Sequence, residues 1–203
     1  MDNPKSKTLF HFTKSEDALY SILENGLKFT YNEERYKDVF HYALPMICFC
    51  DMPLTMIGEH TKKYGTFGIG FNKRKLATNQ LAFMKPYANS KNKQVFYNES
   101  EWRLIVLDKS KIKGFKPINW FWNEEEYKKF KEEHKNPMET HLPIFNFSPE
   151  GVQFILVDKN INRFAITSKI LNMKTFGGNK IDEYQRYELL TKVVFLDEIK
   201  DNY

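Results

Sequence analysis

Apolar residues in this chain come in short runs such as Phe154-Ile155-Leu156-Val157, none near the roughly 20 residues that a membrane-spanning helix requires. A chain punctuated this way buries its hydrophobic side chains by stacking short strands and amphipathic helices, not by threading a bilayer. Aromatic rings must carry much of that burial, because eighteen Phe and eleven Tyr stand among 203 residues and each ring brings a large apolar surface. That length suits one domain with a substantial core and strains to hold two. The opening segment, Met1-Asp2-Asn3-Pro4-Lys5, has neither the apolar stretch of a secretory signal nor an Arg-rich leader. A cytoplasmic location with no membrane partner is the expectation.

Periodicity sets the expected elements. Thr8 to Phe12 alternates as a partly buried strand does, and Ser15 is placed to cap a helix with the stripe Ala18, Leu19, Ile22 and Leu23, ended by Gly26. Asn32 to Tyr42 reads as polar and irregular, followed by a short strand Met46 to Cys50 and a helix from Pro53 to about Tyr64. Gly65, Gly68 and Gly70 punctuate a strand from Thr66 to Asn72, and glycines there are expected to leave room for a ligand or a bulge. Glu101 to Asp108 reads as the best central strand, with Trp102, Leu104 and Val106 on one side and Glu99, Glu101 and Arg103 on the other. Further on, the pattern predicts a surface helix Glu124 to Lys135, a strand Val152 to Val157, a helix Ile161 to Met173, and a short strand Lys192 to Leu196 before a charged tail. This order lacks the regular βαβ alternation of a doubly wound sheet, so the expected class is α+β.

Two cysteines, Cys48 and Cys50, are separated by one residue, which puts both on one face of a strand without the geometry of a comfortable disulfide. They read as reduced thiols in a core. A metal pair completed by His41 or His60 is the weaker alternative, and no metal is expected. Charge is more informative. The whole net charge of +5 falls in residues 51–100, where eight Lys and Arg face three Asp and Glu. From His60 to Asn98 there is no acid, while lysines and Arg74 alternate with aromatic residues. An anion belongs there if anywhere: a dinucleotide or a nucleic-acid strand, with Lys73, Arg74 and Lys75 as candidate nucleic-acid or acceptor contacts. The plainer alternative is that the aromatics are core and the lysines a solvated face.

Three features recur together: His11-Phe12-Thr13, the glycine-aromatic segment Tyr64 to Phe71, and Glu99-Ser100-Glu101-Trp102-Arg103. With Leu23 to Leu27 and Cys48 to Leu54, they make roughly the first half of the chain resemble the AbiGi family of bacterial abortive phage-infection proteins. Members of that family are usually labelled the antitoxin half of a phage-resistance pair, which implies a cognate toxin or antitoxin partner. A more distant resemblance is to ADP-ribosyltransferases of the His-aromatic-Glu type. It implies a single domain with a split mixed sheet flanked by helices, its core lying before about residue 110. It also implies NAD as substrate and a nucleic-acid or protein acceptor. By that resemblance His11 holds the adenine-side ribose, Thr13 supports that strand end, Tyr64 or Phe67 covers the nicotinamide, and Glu101 is the catalytic acid. The chain departs from the pattern in lacking the usual aromatic at a fixed point before the Glu-containing strand.

These residue types suit the chemistry. Cleaving the nicotinamide-ribose bond develops oxocarbenium character, which a fixed carboxylate such as Glu101 stabilises in the transition state. Glu99, two residues earlier on the same face, is placed to orient or deprotonate an acceptor. Arg35, in the irregular stretch, is a candidate phosphate clamp. Against each stands a structural alternative: a hydrogen-bonded strand histidine, an ion-pair ladder formed by Glu99, Glu101 and Arg103, and a solvated arginine. Three functions therefore compete: an NAD-dependent mono-ADP-ribosyltransferase of phage defence, a non-catalytic antitoxin or immunity module, and an NAD glycohydrolase.

Overall fold

The computed structural model describes residues 6–36, 40–77, 83–86, 101–105, 119–121, 123–133 and 142–202. Strand β1 (Thr8–Thr13) leads into helix α1 (Glu16–Asn25). The Ser15 hydroxyl accepts from the Ala18 amide at 3.2 Å, and Glu16 and Asp17 occupy the first turn, where the helix dipole favours acids. Gly26 ends the helix at φ +87°, and a Cβ there would lie 2.8 Å from the Phe145 carbonyl. Leu19 and Leu23 are fully buried, each contributing about 1.5–3 kcal/mol of burial.

The central sheet is assembled from β4 (Phe40–Asp51), β5 (Phe67–Asn72), β6 (Phe83–Pro86), β7 (Glu101–Ile105), β10 (Val152–Val157) and β13 (Val193–Phe195) around β1. Their order is β13-β10-β5-β1-β4-β7-β6, and β3 (Thr30–Tyr36) and β8 (Asn119–Phe121) also pair with β4. Adjacent strands run antiparallel except β10 and β13, which are parallel. Helices α2 (Gly58–Tyr64), α3 (Lys73–Ala77), α4 (Glu124–Glu133), α5 (Arg163–Asn172), α6 (Glu183–Leu190) and α7 (Leu196–Asn202) complete the α+β fold. Two short ribbons, β2 (Leu27–Lys28) with β9 (Ile144–Phe145) and β11 (Thr175–Phe176) with β12 (Asn179–Lys180), stand outside the main sheet. No helix among the described residues is long and apolar enough to cross a membrane.

Both faces of the sheet are covered. On the first, Leu9, Phe49, Ile69, Phe71, Leu104 and Ile155 pack with Leu19 and Leu23 of α1, Ile166 and Ile170 of α5, and Phe145, Phe147 and Phe176. On the second, Phe10, Cys50 and Leu156 meet Met52, Ile57, Leu196 and Ile199. Capping fixes the helices of the first layer: Asn162 accepts from the Phe164 amide at 2.8 Å, and Asp182 with Gln185 forms a reciprocal capping box on α6.

Two sequence expectations change. The stretch Asn32 to Tyr42, expected to be irregular, contributes residues 32–36 to β3 and 40–42 to β4, which pair antiparallel in register from Thr30↔Met46 to Tyr36↔Phe40. Its backbone finds partners in a neighbouring strand, and a polar strand carries no apolar alternation to announce it. The expected charged tail is α7. Leu196 and Ile199, three residues apart, turn onto the sheet while Asp197 and Glu198 fill the first turn.

Candidate functional site

The register of β4 creates the site. Along one edge, β4 pairs with β3 as far as Met46 and with β1 only at Cys50 and Asp51. Ile47, Cys48 and Phe49 fall between the two ladders. Strand β1, meanwhile, stays paired with β5 through Thr13↔Phe67, so β1 and β4 part at His11. The imidazole enters the gap, and its Nδ1–H donates to the Cys48 carbonyl at 3.0 Å. Because that acceptor is a carbonyl, Nδ1 carries the proton and Nε2 keeps its lone pair. Burial holds the His11 pKa below the ordinary 6.5, with the Cys48 hydrogen bond partly offsetting the shift.

Around this gap lies a cleft of about 220 Å³. Residues 10–12 of β1, 48–50 of β4 and Glu101 of β7 form its floor, and His60 and Tyr64 of α2 stand as one wall. Phe10↔Cys50 and Cys50↔Glu101 are direct cross-strand neighbours, so these three side chains share one sheet face. The His60 and Tyr64 rings stand 5.6 Å apart, as residues four apart on a helix should. Lys63 Nζ lies 4.8 Å from the Tyr64 ring centroid.

Glu101 does not stand alone. Arg103, 9% exposed, donates from Nε to one of its oxygens at 2.7 Å and from the terminal nitrogen to the other at 3.4 Å. The same-face pair expected from β-strand alternation is thus a forked ion pair at the cleft floor.

Of the residues expected from sequence, His11, Tyr64 and Glu101 line this one cleft. Thr13 closes β1 against Phe67, and its carbonyl carbon and oxygen sit where a Cβ on Gly65 would fall, which makes glycine obligatory at that φ of +118°. Phe67 is buried among Leu19, Ile69 and Phe71. Strand alternation turns its ring toward the first core face, and Phe67 is not among the residues lining the cleft. Arg35 lies on β3 opposite His41, with its side chain outside the described residues, as is the whole of Glu99.

Of the ligand or bulge expected at the β5 glycines, the bulge is what the strand pairing shows: the register of β10 against β5 shifts between Val152 and Phe154, opposite Phe71 and Gly70. A Cβ on Gly70 would meet the Phe10 ring at 2.7 Å, Thr8 at 2.9 Å and the Phe154 ring at 3.1 Å, and one on Gly68 would meet the Phe12 ring at 3.0 Å. Phe10 stacks on Phe12 and Phe154 with centroids 5.9 and 6.1 Å away. The room expected for a ligand is filled by the protein's own aromatic rings.

In the basic triplet, Lys73 turns inward. Its ammonium pairs with Asp51 and sits 4.2 Å from the Trp102 ring centroid, while Trp102 Nε1 donates to the same Asp51 oxygen at 2.9 Å. Arg74 and Lys75 remain exposed. The sequence reading gave no role to Phe10, Phe12 or Phe49 and weighed His60 only as a metal ligand. The four-residue spacing of His60 and Tyr64 on a helix was the available signal for that wall. The gap itself depends on the long-range ladders to β1 and β3.

Residues 20–84 match the family model of the abortive phage resistance protein AbiGi, antitoxin. The matched stretch runs from α1 into β6 and contains Cys48, Phe49, Cys50, His60 and Tyr64 of the cleft, while Phe10, His11, Phe12 and Glu101 lie outside it. No curated protein and no solved structure matches the chain.

Proposed function

We propose that this protein is the antitoxin component of an abortive-infection phage-defence pair, restraining a cognate toxin by binding it rather than by a reaction of its own. The similarity of residues 20–84 to AbiGi carries this reading. The pairing of both Glu101 oxygens with Arg103 adds support, because a carboxylate already neutralised offers less to a developing cation. The test is expression of the adjoining gene's product in a bacterial host, with and without this protein. Growth arrest by the neighbour, relieved by this chain through a complex that co-purifies at fixed stoichiometry, is expected. Arrest caused by this chain alone would reverse the assignment.

A second reading keeps the chemistry. His11, Tyr64 and Glu101 come from three separate segments and line one cleft, the grouping that an NAD-dependent ADP-ribosyltransferase needs. Here NAD is substrate, Glu101 stabilises the oxocarbenium-like ribose, and a nucleic acid or protein accepts it. Incubating purified protein with NAD and measuring nicotinamide release, with RNA, DNA or protein present, separates the two readings. Turnover abolished by Glu101→Gln supports the enzyme, and its absence under all acceptors supports the antitoxin.

A further inference from the structure

The cleft has a basic, aromatic rim. Tyr64, 36% exposed, stands at the C-terminal end of α2. Lys62 and Lys63 fill the last turn there and are solvent-exposed. Lys14, also exposed, is brought to the same corner by the close approach of its backbone to Gly65, where its Cα lies 2.7 Å from a Cβ position on that glycine. Below the rim lies the half-buried ring of Phe12, and the charge of Glu101 is offset by Arg103.

These features specify the ligand's parts. The aromatic rings of Phe12 and Tyr64 suit a heteroaromatic ring, and lysines outside suit phosphates. How the phosphates would be held narrows the class. The three lysines come from two separate segments, the last turn of α2 and the residue after β1. Long surface lysines spread over a corner suit the successive charges of a polymer backbone, held mainly through release of counterions.

We propose that the cleft receives one unstacked base of a single-stranded nucleic acid, stacked on Tyr64, while the flanking phosphates lie on Lys14, Lys62 and Lys63. The contact is independent of whether the protein restrains a toxin. It also moves the nucleic-acid surface away from Lys73, whose charge is spent on Asp51.

The experiment is fluorescence anisotropy with labelled ten-nucleotide single strands of RNA and DNA, the corresponding duplexes, and unlabelled mononucleotides and NAD as competitors, over a salt series. The expected slope of log affinity against log salt is about −2 for three phosphates on a single strand. Tyr64→Ala should weaken binding about 5- to 150-fold, Tyr64→Phe should keep it within about twofold because the stacking face remains, and changing all three lysines to Gln should flatten the salt slope. Melting curves confirm that each variant folds. Absence of binding, equal affinity for duplex, or an unchanged affinity in Tyr64→Ala each overturns the proposal. An oligonucleotide binding no tighter than a mononucleotide or NAD also overturns it and assigns the cleft to a free nucleotide. Because growth rescue is scored separately, a failure here leaves the antitoxin reading standing, and the converse holds as well.

Discussion

Gly70→Ala tests whether the β5 glycines serve the core or a ligand. The added methyl would sit 2.7 Å from the Phe10 ring, 2.9 Å from Thr8 Cγ2 and 3.1 Å from the Phe154 ring. Phe10 is fully buried and stacked on both sides, by Phe12 at 5.9 Å and Phe154 at 6.1 Å, so it cannot swing clear. Thr8 is held by its hydroxyl on Gln153. Overpacking of this kind costs about 1–3 kcal/mol, and at this chain length each kcal/mol moves Tm by about 2–4 °C. A fall of about 2–12 °C by differential scanning fluorimetry or calorimetry is therefore expected. Gly58→Ala supplies the opposite sign: nothing lies within 4 Å of its Cβ position and it begins α2. Restricting the unfolded chain should stabilise by roughly 0.4–1 kcal/mol. Adding Phe10→Leu to Gly70→Ala should restore part of the loss, with a coupling of about 0.5–3 kcal/mol in the double-mutant cycle. If Gly70→Ala melts within a degree of the wild type while ligand affinity collapses, the glycine is a ligand platform and the packing argument fails.

Lys73→Met leaves the Asp51 carboxylate, whose side chain is 8% exposed, without its cation and should destabilise by about 3 kcal/mol. Reversing Arg74 and Lys75 alone should leave urea midpoints nearly unchanged, and a stable Lys73→Met would sink the internal-pair account. Glu101→Gln removes the charge facing Arg103 and should cost about 1–3 kcal/mol, to be measured by denaturant titration beside the NAD assay. An unchanged midpoint would mean the pair is a surface contact of no weight. The lowered pKa of His11 means the unfolded chain takes up a proton near pH 6.5 that the folded chain refuses. Stability is thus full above the unfolded value and is lost as pH falls from about 7 toward the lower folded value. Replacing His11 by Asn, which keeps a donor for Cys48, should remove that part of the pH slope between pH 7 and 5. An identical slope in wild type and variant would place the titration elsewhere.

Local pattern was enough to locate most of the elements. Alternation placed β1 and β5 where they occur, and Ser15 with Gly26 bounded α1, because caps and side-chain direction depend on near neighbours in sequence. The same-face relation of Glu101 and Arg103 was legible for the same reason, since two residues on a strand return to one side. What strands do to one another was not legible. The pairing of β3 with β4 has no apolar alternation to mark it, α7 looked like a charged end until the sheet gave Leu196 and Ile199 something to bury against, and the meaning of Gly68 and Gly70 depended on rings from β1 and β10. The cleft is the fullest case. Its histidine, tyrosine and glutamate are visible as residues, but they meet only because β4 leaves three residues between its ladders to β3 and β1, and that gap is a property of long-range register that no local window encodes.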